Sequence, residues 1–144
     1  MADASLIQEH IQGLIKSFVT DSMQGELLAL ASDPAKHNEL LGLLFHRGTL
    51  GTHWARKITA TSRDTETIKR LLIASGAGDT CVVISTSPDA DGQFLLLEEA
   101  LTKYAGAGST LFISCSPGEL VYFEDEKTDE RYVFSTRDGT ASFF

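Results

Sequence analysis

Gly76-Ala-Gly-Asp-Thr-Cys-Val-Val-Ile-Ser-Thr-Ser-Pro-Asp-Ala-Asp-Gly92 and, after a run with helical spacing, Gly106-Ala-Gly-Ser-Thr-Leu-Phe-Ile-Ser-Cys-Ser-Pro-Gly118 are the stretches on which the fold turns. Each copy has a Gly-Ala-Gly turn, a short apolar strand and a Ser-x-Ser-Pro exit. Between them, Gln93 to Ala105 places Phe94, Leu95, Leu97, Leu101 and Tyr104 on a helical stripe, with Asp91 as its cap. Strand, helix, strand of this length reads as a βαβ unit with parallel strands and a right-handed crossover. Thr80 to Ser85 is apolar almost throughout, which fits a strand covered on both faces. Both Ser-x-Ser-Pro exits are then expected at the same edge of one sheet.

Upstream, Leu6, Ile7, Ile11, Leu14, Ile15 and Phe18 form one stripe of a helix from Ser5 to Thr20. Thr20-Asp21-Ser22 kinks or restarts it, and Met23, Leu27, Leu28 and Leu30 continue an apolar face. Ser32-Asp33-Pro34 is helix-start chemistry. The helix that follows carries Leu40, Leu41, Leu43, Leu44 and Phe45 and is expected to stop before Gly48. Trp54 to Thr61 reads as a strand, with a short helix over 52–58 as the alternative. Asp64 or a neighbouring hydroxyl caps a helix ending at Gly76. Downstream, Leu120–Glu124, Arg131–Ser135 and Thr140–Phe144 read as strands, separated by an acidic loop, Asp125–Glu130, and by an Arg137-Asp138-Gly139 turn. The expected architecture is a single α/β domain over 1–144: N-terminal helices, then βαβαβ, then a C-terminal antiparallel meander extending a mixed sheet.

The chain has 144 residues and a formal charge of −8. Its length suffices for one real core. The acidic balance argues against a nucleic-acid partner, which needs a basic face. No apolar run is long enough to span a bilayer, and Met1 to Ser5 lacks the basic start of a secretory signal. Cys81 and Cys115, each inside a strand, read as buried free thiols of a reducing compartment, so a cytoplasmic location is expected.

The repeated exit has a third, fainter copy. Ile58-Thr59-Ala60-Thr61 matches Ile84-Ser85-Thr86-Ser87 and Ile113-Ser114-Cys115-Ser116: Ile, hydroxyl, any residue, hydroxyl. If the strands are parallel neighbours, Thr59, Thr61, Ser85, Ser87, Ser114 and Ser116 gather at one carboxyl edge, where open α/β sheets bind ligands. The N-termini of the helices from Asp64 and Asp91 favour an anion there. Candidate ligand-binding residues are therefore these six with Thr86 and Asp89. The same residues are also what strand-to-helix turns need. Asp89 and Asp91 form an Asp-x-Asp pair that suits Mg²⁺ or helix capping, with capping the commoner use. His10, His37, His46 and His53 have no metal-ligand spacing.

Gly78-Asp79, Val82-Val83-Ile84-Ser85-Thr86-Ser87, Ala105-Gly106 and Leu111-Phe112-Ile113-Ser114 resemble the phosphosugar-binding half of a sugar isomerase (SIS) domain. The resemblance covers residues 76–116. It implies that the hydroxyls of Ser85 and Ser87, with Thr86 between them, hold a sugar phosphate. Pro88 departs from the glycine usual after the second serine and removes an N–H donor.

Three functions follow from these observations, among them a catalytic domain that uses Asp89 and Asp91 with a metal ion. One is a small-anion, phosphosugar-like binding module with its cradle at the strand exits. The alternative is a protein-interaction or assembly module that uses its N-terminal helices or an exposed edge of the C-terminal meander. Beyond that catalytic reading, no cofactor or resident metal is implied. The N-terminal stripe either covers the sheet or meets a second copy in a homodimer.

Overall fold

A computed structural model describes residues 4–46, 49–51, 54–59, 61 and 63–136. Helix α1 spans Ala4–Phe18, α2 Asp21–Ala31 and α3 His37–Leu44, with a short 3₁₀ turn Pro34–Lys36 before α3. Strand β1 is Ala55–Lys57, then come α4 (Thr65–Ala74), β2 (Thr80–Ser85), β3 (Phe94–Leu96), α5 (Leu97–Tyr104), β4 (Leu111–Ser116), β5 (Leu120–Asp125) and β6 (Glu130–Ser135). Ser5 lies inside α1 rather than capping it. Residues 20–22 end one helix and begin the next. Asp33 caps the 3₁₀ turn, its carboxylate accepting from Ala35 N at 3.0 Å. Asp64 caps α4 as expected, accepting from Thr67 N and Thr67 Oγ1 at 3.0 and 2.7 Å. Gly76 leaves α4 at φ 109, a conformation that glycine adopts without strain.

The six strands form one sheet in the order β1-β6-β5-β4-β2-β3, and every neighbouring pair is antiparallel. This overturns the expected βαβαβ unit and mixed sheet. The reason lies in four residues. Phe94-Leu95-Leu96-Leu97 does not start a helix; the first three turn back along β2 as a strand, and the helix begins only at Leu97. One helix from Gln93 to Ala105 would carry the chain about 20 Å back to the start of β2. The extended piece makes that return instead, and α5 then climbs again. The extra passage reverses β4, and Val82 pairs with Ser114 and Ser85 with Leu111. The meander β4-β5-β6 is antiparallel as expected. The strand Thr140–Phe144 and the turn before it lie outside the described residues, as do Gly48, Thr52 and His53.

Helices cover both faces. Over the first, Ile11, Leu14, Ile15 and Phe18 of α1, with Leu27, Leu40 and Leu44, pack on Val82, Ile84, Phe112, Val121, Phe123 and Phe134. Over the second, Ile68 and Leu72 of α4, with Leu97, Ala100 and Leu101 of α5, pack on Cys81, Val83, Leu111, Ile113, Tyr122 and Val133. Consecutive strand residues alternate between two apolar layers, which is why β2 and β4 read as continuous apolar runs. Such runs signal double coverage whatever the strand direction. The stripe of α1 is spent on the sheet. At its centre, Gly13 lies so close to the β4–β5 turn that a Cβ there would fall 2.6 Å from Gly118 N.

Candidate functional site

The hydroxyl exits do not converge. Ser85, Thr86, Ser87 and Asp89 follow the carboxyl end of β2. Ser114 and Ser116 end β4, which runs the other way, so they lie at the opposite end of the sheet. Thr59 and Thr61 follow β1 at the Ser85 edge, but β6, β5 and β4 intervene, a span of roughly 19 Å at ~4.8 Å per strand. The helix N-termini separate too, because α5 starts at the end where β2 begins: Leu97 N donates to Asp79 O at 2.7 Å.

The hydroxyls are also engaged. Ser85 is buried; its Oγ donates to Thr110 O and accepts from Ser87 N, both at 3.0 Å. Ser114 Oγ bonds His10 Nδ1 at 2.6 Å beneath α1, with both groups buried. Thr59 and Thr61 are exposed and pair with each other at 3.3 Å. Thr86 is exposed and Ser116 half-buried. Asp89 is exposed, and its carbonyl accepts from Tyr104 Oη at 3.3 Å. Asp91 caps no helix. Its Oδ1 accepts from Ser85 N at 3.0 Å, and its Oδ2 lies 2.6 Å from His37 Nε2, fastening the β2–β3 turn to α3. Among the described residues no group of three or more His, Cys, Asp or Glu side chains is arranged to hold a metal ion.

A different site forms on the first face, where the cover of α1–α3 runs out over β5 and β6. Phe45, just past α3, stacks on Phe112 at 5.0 Å, and Phe112 stacks on Phe123 at 4.7 Å. Phe123 continues to Tyr132 at 6.4 Å and Phe134 at 6.3 Å. Phe45, Phe123, Tyr132 and Phe134, with Leu44, Leu50 and Ala55, line an open groove of ≈ 360 Å³. The period-two pleat places them: Phe123 faces Tyr132 and Val121 faces Phe134 across one ladder. The same alternation carries Asp125 and Glu130, a directly opposed pair, to the groove's rim. His46 lies on the rim as well.

Among the described residues, a lysine of β1 answers one of those two carboxylates. Lys57 Nζ of β1 bonds Glu130 Oε2 at 2.8 Å. The contact holds the Glu130 carboxyl below its usual range and raises the Lys57 ammonium. Burial, then the charge of Glu130, raises the Tyr132 phenol. The acidic loop is tied down as well: Asp129, at φ 56°, accepts from Arg63 Nη1 at 3.1 Å through its carboxylate and from Arg63 Nη2 at 2.7 Å through its carbonyl. The aromatic signal was present in the meander as alternating rings, but Phe45 joins them only through the fold.

No family model, curated protein or solved structure matches this chain. Among the described residues no helix is long and apolar enough to cross a membrane.

Proposed function

We propose that the chain is a protein-interaction module whose groove, between the end of α3 and β1-β6-β5, seats an apolar side chain beside a positive charge on a partner polypeptide. One observation carries this reading: an open floor of aromatic rings bounded by two facing carboxylates, of which Lys57 bonds Glu130. Like charges directly opposed across a ladder destabilise it. A second cation supplied by a partner relieves that repulsion. Its aliphatic stem, or a neighbouring apolar side chain, covers the Tyr132 and Phe123 rings, where cation–π attraction adds to burial. The small-anion reading depended on converging strand exits, which an antiparallel sheet does not provide.

The test is a titration of the ¹⁵N-labelled chain with blocked tetrapeptides of alternating Lys and Phe or Arg and Leu, against versions with Glu in place of the cations. The basic peptides should shift Phe45, Phe123, Tyr132 and Phe134 resonances, more weakly as salt rises. Asp125→Asn with Glu130→Gln should weaken binding about fivefold or more, the equivalent of ~1 kcal/mol. The same double variant should leave the melting temperature nearly unchanged, because an exposed ion pair contributes only about 0–1 kcal/mol. Equal binding of the Glu peptides, or shifts that avoid the groove, would remove this function.

A further inference from the structure

Among the described residues, two of the four large apolar side chains left exposed share one edge strand. Ile73, Phe94 and Leu96 are 50, 42 and 56 % exposed. Ile73 and Leu96 line one shallow recess with Lys69 and Asp79. Phe94 and Leu96 belong to β3, the sheet edge opposite β1. Edge strands are normally blunted by lysine or proline, and β3 has neither. Its hydrogen bonds fix which groups are free. Val83 N donates to Gln93 O and Leu97 N to Asp79 O, so 93, 95 and 97 address β2. By the alternation of an antiparallel ladder, Phe94 and Leu96 direct their backbone outward.

We propose that β3 is a homodimer interface, in which a second copy's β3 pairs antiparallel about a two-fold axis through Leu95 and joins two sheets into one. This register sets Phe94 opposite the partner's Leu96, and Leu96 opposite the partner's Phe94, on the residues whose backbone faces outward. It also brings the two α5 helices side by side. Helix α5 packs on β2 and β3, so across the axis the helices lie about two strand spacings apart, ~10 Å, which is a helix-packing distance. Glu98 turns toward α4, its Oε2 3.6 Å from Lys69 Nζ. At ~100° per residue, Glu99 and Lys103 fall on the opposite flank, toward the β3 edge. Antiparallel α5 helices then place Glu99 against the partner's Lys103, and the reverse. Apolar pairs and opposite charges match together in this two-fold arrangement, which is why the occupant is a second copy.

The experiment is sedimentation velocity on the full chain from micromolar to submillimolar concentration. Wild type should sediment as a dimer. Phe94→Lys with Leu96→Lys should give a monomer that keeps its near-ultraviolet circular dichroism. Should that variant lose its fold, the charge pair decides alone. Glu99→Lys and Lys103→Glu, each singly, should weaken the dimer, and the two together should restore it. A wild-type monomer throughout, a dimer indifferent to the β3 lysines in a folded variant, or charge reversals that fail to rescue one another would overturn the proposal. None of these substitutions touches the aromatic groove, so the peptide titration fails or succeeds independently.

Discussion

His10 is the buried group whose protonation the fold opposes. Desolvation beneath α1 lowers its pKa from 6.5, and the nearby Glu9 charge only partly offsets this. The unfolded chain therefore takes up a proton at higher pH than the folded one. Stability is complete above about pH 6.5 and is lost as pH falls toward the depressed folded value, by up to ~1.4 kcal/mol per pH unit. Urea midpoints at pH 7.5 and 5.5 should show this slope in wild type and a reduced slope in His10→Gln. Removing its partner is a separate loss. Ser114→Ala leaves a buried ring nitrogen without its 2.6 Å contact and should cost about 1–3 kcal/mol at neutral pH. On the other face, Glu124 accepts from Gly106 N at 2.9 and 3.0 Å and from Tyr122 Oη at 2.7 Å. Tyr122→Phe removes one charge-assisted bond and should cost about 1.5–3 kcal/mol in the same assay.

Two helical glycines separate local preference from packing. Gly25 in α2 has nothing within 4 Å of a new Cβ, so Gly25→Ala should stabilise by about 0.5–1 kcal/mol. Gly13 in α1 gains the same preference, but its Cβ would meet Gly118 N at 2.6 Å and Pro117 C at 2.9 Å. Backbone cannot rotate aside, so Gly13→Ala should destabilise by about 1–3 kcal/mol despite better helix propensity. Thermal melts of the two variants should move in opposite directions. The sequence carried the helix stripes plainly, because a period of 3.6 reports burial of one face. It did not carry the direction of β4, since Phe94-Leu95-Leu96-Leu97 satisfies helix and strand patterns equally over so short a run. The groove was half legible. Phe123, Tyr132 and Phe134 alternate within the meander, but the ring of Phe45 and the gap in the helical cover are tertiary facts with no local mark. The serine and threonine exits were legible as strand ends, but their expected gathering at one edge rested on parallel strands, and turn chemistry by itself uses the same residues as anion binding.

For the molecule as a whole, the two thiols offer a gauge of its opening. Burial pushes Cys81 up to about 12 and Cys115 higher still, so neither is an appreciable thiolate at neutral pH. Both sit in the layer beneath α4 and α5. Alkylation by iodoacetamide should be negligible in the native state and rapid in denaturant, with native labelling governed by rare opening. Quick labelling of either cysteine in buffer would contradict the packing of that layer. The order of the elements along the chain has a consequence in time. Helices α1–α3 are made first, yet the strands they cover, β2 and β4 to β6, all come later, and β1 must wait for β6. At ~5–20 residues per second, the stripe from Ile11 to Phe18 leaves the ribosome roughly 6–23 s before β6 is complete. During that interval the nascent chain displays an amphipathic helix with nothing to cover, and its dependence on chaperones should be set by α1 rather than by the sheet.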